Sequence, residues 1–144
     1  MVNIFLFLTF LLSLVVSVPS LAADRRPLIS GLKSPVGMVY NRQGQLYVAE
    51  WGAGRVSKFD ADGNRSTVTE AVPSPSGLAF DDQGTLYIAS YRDGGIYALP
   101  SGGQIRRVAS GFSAPAAILW TRDTYPLVAT PNARELGKGD FQGI

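Results

Sequence analysis

The chain has 144 residues, with 13 Lys and Arg against 11 Asp and Glu, and it contains neither Cys nor His. That inventory excludes disulfide frameworks, thiol or imidazole nucleophiles, zinc clusters and histidine-dependent triads. A net charge of +2, with the Arg residues scattered, provides no basic patch, so no nucleic-acid partner is expected.

Residues 4–16 read IFLFLTFLLSLVV, and 16 of the first 22 residues are hydrophobic. The run is shorter than the roughly 20 apolar residues that span a bilayer. Val18-Pro19-Ser20-Leu21-Ala22-Ala23 follows, a helix breaker and then small residues. This order predicts a helical signal peptide over 1–22, cut after Ala22, and a secreted or periplasmic protein. Contact with a membrane is expected only through an uncleaved signal segment.

Beyond that segment the chain repeats. Ser34-Pro35-Val36-Gly37-Met38 returns 40 residues later as Ser74-Pro75-Ser76-Gly77-Leu78, and again as Ala114-Pro115-Ala116-Ala117-Ile118. Gln43-Gly44-Gln45-Leu46-Tyr47-Val48-Ala49 returns as Gln83-Gly84-Thr85-Leu86-Tyr87-Ile88-Ala89. Residues 31–70 and 71–110 are identical at 11 of 40 positions without a gap. The third copy is degenerate and loses both turn glycines, at Ala117 and Thr124.

Each repeat reads as four short strands. In the first they are Val36 to Tyr40, Gln45 to Glu50, Arg55 to Asp60 and Asn64 to Thr69. Turns at Asn41-Arg42-Gln43-Gly44 and Asp60-Ala61-Asp62-Gly63 place glycine where a positive φ is needed. The second repeat predicts strands near 76–80, 85–90, 95–99 and 104–109, and the third a strand at 116–120 with at best a weak third strand over 131–136. Four antiparallel strands per step of about 40 residues is the pattern of a β-propeller blade. The predicted fold is therefore all-β, an incomplete β-propeller of four-stranded blades preceded by a helical signal peptide. Tyr40, Phe80 and Trp120, with Tyr47 and Tyr87, fall at equivalent positions and are expected to pack between blades, since apolar strand residues usually do.

Leu28-Ile29-Ser30-Gly31 aligns with Val68-Thr69-Glu70-Ala71, so an orphan outer strand is expected over 23–30, before any first strand. Blade 1 then occupies 31–70, blade 2 71–110, a partial blade 3 111–136, and a tail 137–144. Even small propellers have about four blades. Two explanations are open: the chain is a truncated piece of a longer protein, or several copies assemble into one ring. Truncation is preferred, because the strand at 116–120 lacks the charge or Pro that blunts an exposed edge. Self-association through open blade edges, or aggregation, is expected when the chain is made alone.

The runs Ser34 to Glu50 and Pro75 to Ser90 resemble the NHL repeat and, more broadly, the SMP-30/gluconolactonase-like propellers, over about residues 31–136. The resemblance implies a six-bladed propeller. It also implies, as an alternative function, a remnant of a metal-dependent sugar-lactone hydrolase using a divalent ion such as calcium. In the lactonase branch a Glu-Gly-Pro run on the first strand supplies a metal-binding Glu. The matching positions here read Ser34-Pro35-Val36-Gly37, without it. Glu50 stands where the repeat usually has Asp and is the one weak metal candidate, its equivalents being Ser90 and Thr130. Lyase relatives that depend on His are excluded.

No catalytic residue is assigned, and no cofactor is expected beyond that ion. Ligands of propellers are met by loops at one mouth of the channel. The loops between second and third strands supply the candidates: Glu50, Trp51, Tyr91, Arg92, Asn132 and Arg134. An aromatic face beside Arg and a carboxylate suits a sugar or an anion. The expected function is an exported propeller segment that binds a small molecule or a protein.

Overall fold

The computed structural model describes residues 28–121, 126–131 and 137–138. The expected signal peptide lies outside them, as do residues 23–27 of the expected outer strand; Leu28 and Ile29 form a bend.

Blade 1 is a sheet of β1 (Pro35–Tyr40), β2 (Leu46–Glu50), β3 (Arg55–Phe59) and β4 (Arg65–Thr69), in that order. Blade 2 repeats it with β5 (Pro75–Phe80), β6 (Leu86–Ser90), β7 (Gly95–Leu99) and β8 (Arg106–Ala109). A third sheet joins β9 (Ala117–Trp120), β10 (Pro126–Ala129) and β11 (Gly137–Lys138). All pairings are antiparallel. The strands expected in blades 1 and 2 and at 116–120 are present with ends moved by a residue or two, whereas residues 28–30 of the expected outer strand are not a strand. In blade 3, β10 pairs with β11 at 137–138, and residues 132–136 of the expected third strand lie outside the described residues. The expected loop after β2 closes as a 3-10 turn, Trp51–Ala53.

The hairpins form for local reasons that recur at the same step. Asn41 Oδ1 accepts from the amides of Gln43 (3.1 Å) and Gln45 (2.9 Å), and Asp81 Oδ1 from those of Gln83 (2.9 Å) and Thr85 (2.8 Å). A short polar side chain thus ties each turn to the strand that follows it. Gly44 and Gly84 complete the two turns at φ +74° and +83°. Ladder irregularities recur as well, after Pro35 and after Pro75, and between Val56 and Ser57 as between Ile96 and Tyr97.

Two apolar layers hold the blades face to face. Ala49 and Val56 from blade 1 meet Leu78, Leu86 and Ile88 from blade 2, with Val72 of the connection between them. Ala79, Ala89 and Ile96 from blade 2 meet Ile118 and Val128 from blade 3. The aromatic series packs in these layers: Phe80 meets Tyr47 edge-on at 5.0 Å, and Trp120 stacks on Tyr87 at 4.6 Å. Tyr40, first of that series, is exposed. The inner strands approach closely where the repeat has Pro-x-Gly. A Cβ on Gly37 would fall on the carbonyl oxygen of Ser76, and one on Gly77 would lie 2.6 Å from Ala117 Cα. Glycine is required there by contact between backbones rather than by conformation.

Candidate functional site

The loops after β2 and β6 are built alike. Ser34 and Ser74, each preceding a proline, both sit in the left-handed region at φ +48°, and Ala114 follows the pattern at +51°. A non-glycine residue held there is uncommon and needs support from its surroundings. At the first two positions the support is visible: Ser34 O accepts from the Trp51 amide at 3.1 Å, and Ser74 O from the Tyr91 amide at 3.0 Å. Gly54 and Gly94, both at φ +64°, end the two loops.

This shared frame brings Trp51 and Tyr91 together. Their rings lie 6.5 Å apart at 83°, edge to face, and both remain exposed. Arg92 follows Tyr91 on the surface. Asn132 and Arg134 lie outside the described residues. Three of the six predicted site residues thus share one end of blades 1 and 2 as accessible groups.

Glu50 is placed differently. It is fully buried (0% exposed) at the end of β2. Its carboxylate accepts from Ser57 Oγ at 2.6 Å, Lys33 N at 2.9 Å and Arg55 Nε at 3.1 Å, and Arg65 Nη2 also reaches Oε1. Arg65 Nη1 continues to the Gly31 carbonyl at 3.4 Å. Burial by itself pushes this carboxyl up. The Ser57 hydroxyl, the Arg55 guanidinium, the Lys33 amide and Arg65 outweigh it and hold the group down at about 2. Two guanidiniums and two neutral donors occupy the oxygens that a cation would use. This donor set does not fit a divalent metal at Glu50. Among the described residues no three acidic side chains gather into a metal cluster.

Arg55, Ser57 and Arg65 are absent from the predicted site. Arg55 was accessible to reasoning, because a two-strand register through the 51–54 loop sets it opposite Glu50. Arg65 was not, because it comes from β4, a strand further out. A second feature lies at the other end of the blades. A groove of about 500 Å³ opens between the turns of blades 1 and 2, floored by Tyr47, Phe80 and Leu99. Arg42 and Asp82, equivalent positions in successive repeats, bridge its rim at 2.8 Å.

The sequence profile of the SMP-30/gluconolactonase/LRE-like region matches residues 19–92, which span blade 1, β5, β6 and the described candidate residues. The chain belongs to the SMP-30/gluconolactonase/LRE-like family. No curated protein sequence matches it. Among solved structures, virginiamycin B lyase from Staphylococcus aureus is similar at 18% identity and a TM-score of 0.63, over 72% of this chain and 37% of that one. The nidogen/laminin complex matches at 22% identity and 0.61, over 69% and 40%. A candidate gluconolactonase matches at 19% and 0.56, over 78% and 49%. These likenesses establish a propeller-type fold for a chain that covers 37 to 49% of the structures compared.

Proposed function

We propose that this family member is an exported propeller segment that binds a small, ring-faced ligand, such as a sugar, through the loops that follow β2 and β6. The reading rests on one observation: Trp51 and Tyr91 stand exposed and in mutual contact, on frames that the repeat duplicates. Two exposed rings at right angles offer one ring face to stack on and the other ring as a wall, and Arg92, exposed and next in sequence to Tyr91, is available for charge-assisted hydrogen bonds to hydroxyl or carboxylate oxygens. The apolar N-terminal run and the small residues after Pro19 support export.

Titration with a panel of mono- and oligosaccharides and sugar acids, followed by tryptophan fluorescence, tests this reading. Trp51 and Trp120 are the two tryptophans, and Trp120 is stacked on Tyr87. The signal is therefore expected to vanish in Trp51→Ala while far-UV circular dichroism is unchanged. Binding that survives this substitution counts against the loop assignment.

The lactone-hydrolase alternative has less support, because it calls on Glu50 to hold the metal and this carboxylate is already engaged by Arg55 and Arg65. Equilibrium dialysis against calcium separates the two readings: micromolar binding lost in Glu50→Gln would favour the hydrolase.

A further inference from the structure

The same pair of aromatic positions serves both junctions between blades, in two arrangements. Between blades 2 and 3 Trp120 lies nearly flat on Tyr87, at 24°, and Tyr87 is 2% exposed. The Tyr87 hydroxyl donates to Asp81 Oδ2 at 3.3 Å. Between blades 1 and 2 Phe80 instead meets Tyr47 at 82°, and both rings are half-buried. Asn41, at the position of Asp81, turns its side-chain amide to Gln45 Oε1 at 2.9 Å. The groove of about 500 Å³ lies over this right-angled pair, and its size is that of a small-molecule site. Its lining comes from blades 1 and 2 alone, both of which have all four strands.

Charge decides what such a space holds. Two rings at a right angle form a corner of two π faces, and each face attracts a cation. The charged side chains that line the groove are Asp81, Asp82 and Arg42, two carboxylates against one guanidinium. Asp81 is tied to its own turn through the amides of Gln83 and Thr85, yet it keeps its charge beside the groove. Asp82 bonds only Arg42 among the described residues, at 2.8 Å, and the two side chains are 72% and 70% exposed. An ion pair so open to solvent is held weakly and exchanges partners readily. An anion would meet ring faces and a net negative rim, so the lining selects against it.

We propose that this groove binds a small organic cation, an alkylammonium whose carbon groups rest on Tyr47 and Phe80 and whose charge is met by Asp82. Arg42 already holds that carboxylate, so the ligand enters by displacing a guanidinium. Arg42 is therefore a competitor of the ligand and Asp82 its partner, although the two residues form one ion pair. The site lies at the end of the blades away from Trp51 and Tyr91, and it stands or falls independently of the ligand proposed there.

The test compares choline with its neutral isostere, in which a tert-butyl group replaces the trimethylammonium head. Each is titrated into the full chain and followed by ligand-observed NMR. Choline is expected to bind saturably, and the neutral alcohol about fivefold more weakly. Asp82→Asn is expected to weaken choline about tenfold, and Arg42→Gln to tighten it about threefold. Both substitutions fall on exposed side chains, so circular dichroism is expected to stay unchanged. An ion pair with a structural role alone would move the two variants in the same direction. Trp51→Ala is expected to leave choline binding as it was. No saturable binding of choline, equal binding of the alcohol, matching responses of the Asp82 and Arg42 variants, or loss of binding in Trp51→Ala overturns the proposal.

Discussion

Blades 1 and 2 share turns, ladder irregularities and left-handed residues at the same offsets, yet they secure their common end by different chemistry. In blade 1 Glu50 gathers Lys33 N, Ser57, Arg55 and Arg65 into a buried charged hub. In blade 2 the same position is Ser90, whose hydroxyl donates to the Pro73 carbonyl at 2.6 Å. The difference follows from the residue 17 positions earlier. Lys33 offers an amide N–H, for which a carboxylate is a good acceptor. Pro73 has no N–H and offers only its carbonyl, so a donor is needed instead. The remaining hub positions change in step: Arg55 becomes Gly95, Ser57 becomes Tyr97 and Arg65 becomes Ile105. Blade 2 moves its carboxylate into the loop, where Asp93 accepts from Tyr97 Oη at 2.6 Å and lies 3.9 Å from Arg107. A backbone frame repeated by the sequence thus tolerates two solutions, provided each satisfies its buried polar groups locally.

The largest expected effect comes from removing the centre of the charged solution. Glu50→Ala leaves Arg55 and Arg65, both about a quarter exposed, without their carboxylate, and strands the Ser57 hydroxyl proton and the Lys33 amide without an acceptor. A loss of about 3 to 4 kcal/mol is expected, reduced from the fully buried case by the solvent that reaches the guanidiniums. Urea denaturation at pH 7 measures it. The same hub has an acid signature. Glu50 titrates at about 2 when folded against 4.5 for the ordinary carboxyl, so the folded state holds fewer protons between those values. Its stabilisation is fully present above pH 4.5 and is lost as the pH falls towards 2, a change of about 3 kcal/mol. Glu50→Gln should flatten that part of the profile, and an unchanged acid limb would remove Glu50 as its source.

The next effect separates inner strands whose glycine meets another backbone from the one whose equivalent residue, Ala117, is exposed. Gly37→Ala places a methyl group on the Ser76 carbonyl, and Gly77→Ala places one against the Ala117 backbone. Each is expected to cost about 2 to 3 kcal/mol, because the atoms in the way are backbone and cannot rotate aside. The third position of this series already carries Ala117, which is exposed. Ala117→Gly should therefore lower the stability measured by urea denaturation by no more than strand propensity predicts, about 0.5 to 1 kcal/mol. Equal responses at 37 and 117 would contradict the packing order of the inner strands.

The repeat was legible because its signals are local and occur more than once. Pro-x-Gly, Asn41 or Asp81 before a turn, and Leu-Tyr-x-Ala strands each act over a few residues, and agreement at a 40-residue step identifies them. The pairing of Trp51 with Tyr91 was also within reach, since equivalent loops on neighbouring blades must lie side by side. The burial of Glu50 was not. It depends on β4 bringing Arg65 back across β3, and no spacing in one sequence distinguishes a buried, neutralised carboxylate from an exposed one. The third blade was the least legible, because losing its turn glycines removes the signal that fixes strand ends. Among the described residues β10 pairs with 137–138, a pairing that the repeat does not predict.

The smallest effect tests the neutral solution. Ser90 is fully buried, and Ser90→Ala removes the only hydrogen that its side chain can donate to Pro73 O. A neutral hydrogen bond of this kind contributes about 1 kcal/mol, and the stranded carbonyl adds to the loss, so about 1 to 2 kcal/mol is expected. The Ser90 hydroxyl also helps to hold the Asp93 carboxyl below its usual range, so part of the penalty should fall away as Asp93 takes up a proton, while that of Glu50→Ala should shrink more with acid. The comparison is sharper in the paired variant Pro73→Lys with Ser90→Glu, which gives blade 2 the donor and acceptor of blade 1 without its arginines. If the amide at position 73 were sufficient to hold a carboxylate, this variant would match the parent. Without Arg55 and Arg65 to offset burial, it should instead be less stable than Ser90→Ala at pH 7 and recover as the pH falls and the new carboxyl takes up a proton.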